Sequence, residues 1–289
     1  MTALTASHAT PGYRAPAGER TAHWLRQLLV MVLISAILLP ILWIFLTAFK
    51  LPRDVYTTST ALWFSPTLDN LQTVFQAPWN LGSKIVNSTA VAAGTVLLAM
   101  PMATMAAYAF SRFDFRFKQT IFLVVIASQF IPAAVVVLPY FLMFKEAGML
   151  DTRTALVLVN LSIVLPYAVW MIKGFIDAIP LDTEEAALVD GSTRLQVIRN
   201  IVIPMAAPGL ITAGIFCFIV GWNEFLLALI VTSRDAVTLP VGLALFNTEQ
   251  GDLWQLISAT GLLIMLPMFV LGFVIQKHFI QGSTSGAVR

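Results

Sequence analysis

TALVLVNLSIVLPYAVWMIKGF, residues 154–175, runs directly into IDAIPLDTEEAALVDGSTRLQVIRNIVIP, residues 176–204. The first stretch is apolar for 22 residues. At about 1.5 Å rise per residue that is enough helix to cross a hydrocarbon core of about 30 Å. The second stretch carries Asp177, Asp182, Glu184, Glu185 and Asp190, five of the chain's 15 acidic residues. A membrane-length run joined to a polar segment with its own helix signals predicts a bilayer protein with a built element outside the bilayer.

Five more apolar runs lie on either side, at about 28–49, 86–110, 120–140, 205–231 and 256–276. Together they predict six transmembrane helices in an all-α integral membrane protein. Pro40, Pro101, Pro132, Pro166 and Pro267 fall inside five of the six runs. Membrane helices tolerate proline because neighbouring groups re-satisfy the freed carbonyls. Over 289 residues the chain is 58% hydrophobic and 11% charged. Soluble domains carry about a quarter charged residues, so water is not its main solvent. A net charge of +2 gives no reason to expect nucleic acid as a partner. The single cysteine, Cys217, excludes an intrachain disulfide and is expected as a small buried hydrophobe. His8, His23 and His278 lie outside the runs, so no histidine metal site is expected within the membrane.

Orientation follows from the basic residues. With both termini in the cytoplasm, 11 of the 17 Lys and Arg fall inside, the short loop 111–119 being the clearest marker. Residues 1–22, rich in Thr, Ala, Pro and Gly, are expected to form a disordered cytoplasmic extension to a six-span unit over 23–289. The first run is too long for a cleaved leader and reads as an uncleaved anchor. No internal repeat is visible.

Within the interlude, Pro180 and Asp182 mark a helix start, with Glu185 three residues after Asp182 in a capping-box spacing. Ala186, Ala187 and Leu188 propagate that helix, and Gly191 supplies the left-handed residue that ends it. Ser192 or Thr193 can cap a second short helix, where Leu195, Ile198, Ile201 and Val202 recur at spacings of three and four up to Pro204. Two short helices at a sharp bend make either a compact knob for a partner's groove or a plain polar connector. Local physics leaves both open.

The full spacing, Glu185-Ala186-Ala187, then Gly191, then Ile201-x-Ile203-Pro204, resembles the EAA loop of ABC-importer permeases, with Ile203 where Leu is usual. Asn87-Ser88, the stretch from Ala106 to Phe113, Gly221-Trp222-Asn223-Glu224, and the terminal Gly282-Ser-Thr284-Ser-Gly286 also look like the MalG-like subunit of the maltose-type carbohydrate-uptake family. The resemblance runs from about Leu28 to the end of the chain. It implies the type I ABC-importer permease fold, in a bacterial inner membrane, with 176–204 as the coupling loop. The partners it implies are a second homologous six-span permease, a dimer of cytoplasmic ATPases and an extracytoplasmic solute-binding protein. ATP and Mg²⁺ would be bound by the ATPase, with no cofactor in this chain. Glu184, Glu185, Ala186, Ala187, Asp190, Gly191, Ile201 and Pro204 would form the docking element. Of these, Glu185 would make a charge-assisted contact and Gly191 the close turn. Gly282, Thr284 and Gly286 would reach toward the ATPase.

Gly-x-x-x-x-Gly-Lys-Ser/Thr is absent, so no ATP hydrolysis is expected here. Polar residues within spans are candidates for a solute path. Gln129, Asn160, Asn223 and Glu224 qualify, with Asn87 at the outer end of the second span. Tyr167, Trp170 and Trp222 could stack on sugar rings. Amides between helices also serve as simple interhelical hydrogen bonds. The outer loops 51–84 and 232–255 are the surfaces large enough for a binding protein. The substrate expected is a mono-, di- or oligosaccharide, with glycerol phosphate or a polyol as the alternative. An ion-coupled carrier would have only Glu224 to work with, and intramembrane serine chemistry has no histidine base.

Overall fold

The computed structural model describes residues 17–57, 62–249 and 251–284, without the side chains of 17–22 and 274–284. Helix α1 spans Ala17–Ala48, and two short helices follow, α2 (Pro52–Val55) and α3 (Asp69–Thr73). Next come α4 (Leu81–Arg112), α5 (Lys118–Ala127), α6 (Ala133–Glu146) and α7 (Arg153–Asp177). The interlude folds as α8 (Leu181–Val189) and α9 (Arg194–Val197), a π-helical turn over Ile198–Val202, and α10 (Ile203–Met205). The chain continues through α11 (Ala207–Asn223), α12 (Leu226–Val231) and α13 (Leu239–Ala244). A two-stranded antiparallel hairpin, β1 (Asn247–Thr248) with β2 (Gly251–Asp252), leads into α14 (Trp254–Thr284).

Four of these helices are long and apolar enough to cross a bilayer: α1, α4, α7 and α14. Two bent helix pairs are also long and apolar enough when each is counted as one span. Lys118–Phe130 meets Ala133–Glu146 at 97°, and Arg194–Met205 meets Ala207–Asn223 at 80°. Counting each pair once gives the six expected. Pro40, Pro101, Pro166 and Pro267 sit inside continuous helices. Pro132 does not: it stands extended at ψ 134°, as the N-cap of α6. The residue before a proline is driven out of the helical region, and Ile131, at ψ 117°, obeys. The fifth run breaks too, at Glu224 and Phe225, so its last turn is a separate helix.

Some edges differ from the sequence reading. Helix α4 begins at Leu81 and includes Lys84, expected in an outer loop but buried, its Nζ donating to the Trp79 carbonyl at 2.5 Å. Helix α1 begins at Ala17, within the segment expected to be disordered; residues 1–16 lie outside the described residues. The loop 232–255 is folded, holding α13 and the hairpin.

Where α4, α7 and α11 meet, buried residues recur at four-residue spacing, mostly small on α4 and α11 and mostly aliphatic on α7. Helix α4 buries Asn87, Val91, Thr95, Ala99, Ala103 and Ala107. Helix α7 buries Leu156, Asn160, Val164, Ala168, Ile172 and Ile176. Helix α11 buries Gly209, Ala213, Cys217 and Gly221. Lipid tails are as apolar as leucine, so membrane helices associate through close packing, and small residues four apart let backbones approach. These three helices pack on one another accordingly. Cys217 is fully buried between them, as expected of a small hydrophobe. By contrast, α1 packs mainly on α14 and leaves most of its apolar surface exposed.

Candidate functional site

The interlude forms a two-helix knob at the end of the bundle where α4 and α7 terminate. Its first helix starts two residues earlier than a cap at Asp182 would require. Pro180 is the N-cap and makes no side-chain cap bond, so the Asp182–Glu185 capping box does not form. Pro180, with φ fixed at −59°, instead sets up the turn through its carbonyl, which accepts from the Thr183 N–H at 3.3 Å. The helix ends as the sequence predicts. Gly191 takes φ +88°, its N–H donates to the Leu188 carbonyl at 3.1 Å, and the Ser192 N–H donates to the Ala187 carbonyl at 3.0 Å. That pair of bonds is a Schellman ending. Thr193 then caps α9 in a reciprocal box with Gln196. Pro204 does not end the second helix. It lies inside α10, after a π-turn, and the 80° bend follows it.

The knob has two faces. Glu185, Ala186, Asp190, Gly191 and Pro204 are exposed, whereas Ala187 and Ile201 are half-buried against the core. Leu181, Val189 and Leu195 add exposed apolar surface beside them, Val189 at 86%. Glu184 points the other way. Its Oε1 accepts from Arg112 Nε at 2.7 Å and its Oε2 accepts from the Tyr108 hydroxyl at 3.1 Å. Arg112 also donates through Nη2 to the carbonyls of Ile176 and Ile179, at 2.8 and 2.9 Å. One guanidinium thereby joins the end of α4, the end of α7 and the start of the knob. Nearby, Asp177 accepts from Lys173 at 2.6 Å and from the Ser111 hydroxyl. Glu184, expected with the docking residues, is instead turned into the bundle by the fold. Arg112 was missed as a partner, although its place beside Tyr108 and Ser111 at the end of a span was a usable signal.

A second polar cluster closes the opposite end. Asp151, itself at φ 57°, accepts from the backbone N–H groups of Ser233, Arg234, Asp235 and Ala236 at 2.9–3.1 Å, and from the Ser233 hydroxyl at 3.1 Å. Burial would raise its pKa, but the four backbone donors outweigh that and hold the carboxyl well below the usual carboxylate range. Asn87 is buried, donating to the Asp235 and Val237 carbonyls at 2.9 Å and accepting from Arg153 Nε at 2.8 Å. Ser88 Oγ accepts from the Leu239 N–H at 2.7 Å. Asn87, expected as a path residue, is therefore a tie between α4, α7 and the loop leading to α13.

The remaining path candidates separate by exposure. Asn160 is only 2% exposed and faces Gly221, where an added methyl would lie 3.4 Å from its Nδ2; its Oδ1 has no hydrogen-bond partner. Trp222 is buried, its Nε1 donating to the Ile264 carbonyl at 3.1 Å and its ring stacked on Phe218, so it offers no free face. Gln129, Asn223 and Glu224 stay accessible or half-buried; Gln129 lies just before the break between α5 and α6, and Asn223 and Glu224 lie at the break between α11 and α12. Glu224 caps α12, accepting from the N–H groups of Leu227 and Ala228 at 2.8 Å. Tyr167 and Trp170 are exposed on α7. Of the terminal string, Gly282 and Thr284 extend the backbone of α14, and Gly286 lies outside the described residues. Among the described residues no group of three or more His, Cys, Asp or Glu could hold a metal ion.

Residues 99–284 match the family described as "Binding-protein-dependent transport system inner membrane component". The chain is 33% identical over 274 residues to the trehalose transport system permease protein SugB of Mycobacterium tuberculosis, covering 94% of this chain and 98% of that one. It is 31% identical over 262 residues to the diacetylchitobiose uptake system permease protein DasC of Streptomyces coelicolor, covering 90% and 94%. Its fold superposes, with a TM-score of 0.79, on a chain of a bacterial ABC transporter involved in the import of the acidic polysaccharide alginate. That match covers 93% of this chain and 100% of the other at 21% identity, a likeness of fold.

Proposed function

The chain belongs to the family of binding-protein-dependent transport system inner membrane components, and from that premise we propose that it is a permease subunit of an ATP-driven sugar importer. It forms the translocation path with a second six-span permease and takes its energy from a dimer of cytoplasmic ATPases, which bind the ATP and Mg²⁺. Solute arrives on an extracytoplasmic binding protein. The observation that carries this reading is the knob, a helix ended by Gly191 at φ +88°, exposed on its outer face and anchored to the bundle by Glu184. The outer face presents Glu185, Ala186, Asp190 and Gly191 to the ATPase.

The substrate class rests on the relatives, whose names specify trehalose and diacetylchitobiose. Gln129, Asn223 and Glu224 line the solute path, because breaks in membrane helices expose backbone polar groups only where protein or a wet cavity surrounds them. Tyr167 and Trp170 supply stacking faces. The knob faces the cytoplasm together with both termini, in keeping with the distribution of Lys and Arg. The hairpin β1–β2 and the folded loop around Asp151 then face the binding protein.

The test is gentle detergent extraction from the native membrane and affinity purification. A second six-span protein and an ATPase should copurify, with ATP hydrolysis stimulated by a sugar-loaded binding protein. An absence of any ATPase at every salt concentration would overturn the proposal. Stimulation by glycerol phosphate in place of sugars would keep the importer and correct its substrate.

A further inference from the structure

Glu224 stands at the break in the fifth apolar run, between Asn223, the last residue of α11, and the six-residue α12. In an unbroken helix the N–H groups of Leu227 and Ala228 would reach the carbonyls of Asn223 and Glu224, four residues back. Here both donors go elsewhere. The Leu227 N–H donates to Glu224 Oε1 and the Ala228 N–H to Glu224 Oε2, each at 2.8 Å. The regular ladder resumes with the Leu229 N–H, which donates to the Phe225 carbonyl at 2.8 Å. Between the two helices Glu224 is extended at ψ 124°, and Phe225 stands outside the helical region at φ −122°.

A helix leaves four N–H groups at its start and four carbonyls at its end without internal partners. In a helix of six residues nearly every backbone group is therefore terminal. Within a membrane each such group needs another partner. At the C-terminal end of α12 the Asp151 N–H donates to the Val231 carbonyl at 2.9 Å. Leu227, Ala228 and Val231 bury the helix against α6 and α7. At the N-terminal end the partner is Glu224. Bonds from backbone N–H to a carboxylate are about twice as strong as neutral ones, and here each oxygen of the carboxylate holds one.

We propose that Glu224 is a positioning residue of the solute path. By taking these two N–H groups it keeps the fifth span broken, and it frees the carbonyls of Asn223 and Glu224 to accept from the hydroxyls of a sugar. Beside them the Asn223 side chain is exposed, its Nδ2 donating to the Ile219 carbonyl at 2.8 Å, so that its Oδ1 adds a third acceptor. Hydroxyl groups are the donors that such a cluster suits. The inference rests on the importer reading and gives Glu224 and Asn223 different tasks within it: one holds the break, the other meets the solute.

The experiment uses the transporter purified with its partners and reconstituted in vesicles. The labelled sugar is trehalose or diacetylchitobiose, whichever stimulates ATP hydrolysis by the unmodified complex when supplied on its binding protein. Glu224→Gln keeps one acceptor oxygen at the same reach, and uptake should stay within about threefold of the unmodified level. Glu224→Leu has no acceptor and favours a continuous helix, and uptake should fall by about tenfold or more. Both variants should retain the ATPase, because the knob is untouched. Equal loss of uptake in the two variants would overturn the proposal and assign the charge itself to a solute or a proton. Full uptake by Glu224→Leu would overturn it as well. If Glu224→Leu fails to assemble, Glu224→Gln decides alone, a fall beyond about tenfold being the overturning result. An unmodified complex that retains no ATPase would instead remove the importer reading, and this inference with it.

Discussion

Arg112 and Glu184 lie 72 residues apart in sequence and 2.7 Å apart in space, with side chains only 7% and 5% exposed. This ion pair fastens the knob to the membrane bundle. Because Arg112 also holds the carbonyls of Ile176 and Ile179, a displacement of α8 must be felt at the ends of α4 and α7.

Removing one partner should therefore cost more than removing both. Arg112→Ala leaves a buried carboxylate without its cation, a change that typically costs about 3–5 kcal/mol. The Arg112→Ala/Glu184→Met pair should recover a large part of that loss. Thermal melts of the detergent-purified protein, compared in a double-mutant cycle, check this. Additive losses from the two single changes would show that the pair is not coupled.

Gly191 is a test of docking more than of folding. A β-carbon there would meet nothing within 4 Å, so the cost inside the chain is the left-handed backbone alone, about 1–2 kcal/mol. Gly191→Leu should stay in the membrane at near-normal level and lose uptake. Uptake at the unmodified level would remove the docking assignment.

Asp151 sets the acid limit of the outer loop. Its pKa is depressed in the fold, against a desolvation that would raise it, by the backbone N–H groups of residues 233–236. The sign follows: its contribution is fully present above the unfolded value near ~3.9 and is lost only as pH falls through the lower folded value. Hydrogen exchange at Ser233–Ala236 should stay protected at mildly acidic pH. Asp151→Asn removes the charge, and charge-assisted bonds are worth about 1.5–3 kcal/mol each, so exchange should quicken by tenfold or more. Unchanged protection in Asp151→Asn would show that the loop holds itself.

Gly209 of α11 lies directly against the Phe175 side chain of α7. A methyl placed there would lie 2.2 Å from the Phe175 ring, near the ring's attachment where it has little freedom to move. Gly209→Ala should destabilise by about 1–3 kcal/mol, the usual cost of overpacking. Phe175→Leu should relieve part of it in the double variant. A wild-type melting temperature for Gly209→Ala alone would contradict this packing.

The apolar runs and the helix–turn–helix of the interlude are legible because their signals are local. A span needs only a hydropathy run of bilayer length. The turn at Gly191 needs only one residue that accepts positive φ, and the Thr193 cap needs only Gln196 three residues on. The cap at Asp182 was misread because Pro180 two residues earlier imposes the helix start instead. Pro132 stands in an apolar run just as Pro40 and Pro166 do, and composition does not distinguish them. The four-residue stripes of α4, α7 and α11 were present in the letters as well, yet small residues blend into a uniformly apolar background.

The sequence by itself determined the solvent, the six membrane-length runs, and a polar two-helix interlude with a glycine turn, because hydropathy and backbone freedom act over a few residues. Only the tertiary structure decided which polar side chains turn inward. Glu184 and Glu185 are neighbours of identical chemistry, yet one is sealed against Arg112 and the other is exposed. Asn160 and Asn223 are both amides in apolar runs, yet one is buried against Gly221 and the other stands exposed where α11 ends. Such choices depend on groups 60 to 150 residues away, and no local period carries that information.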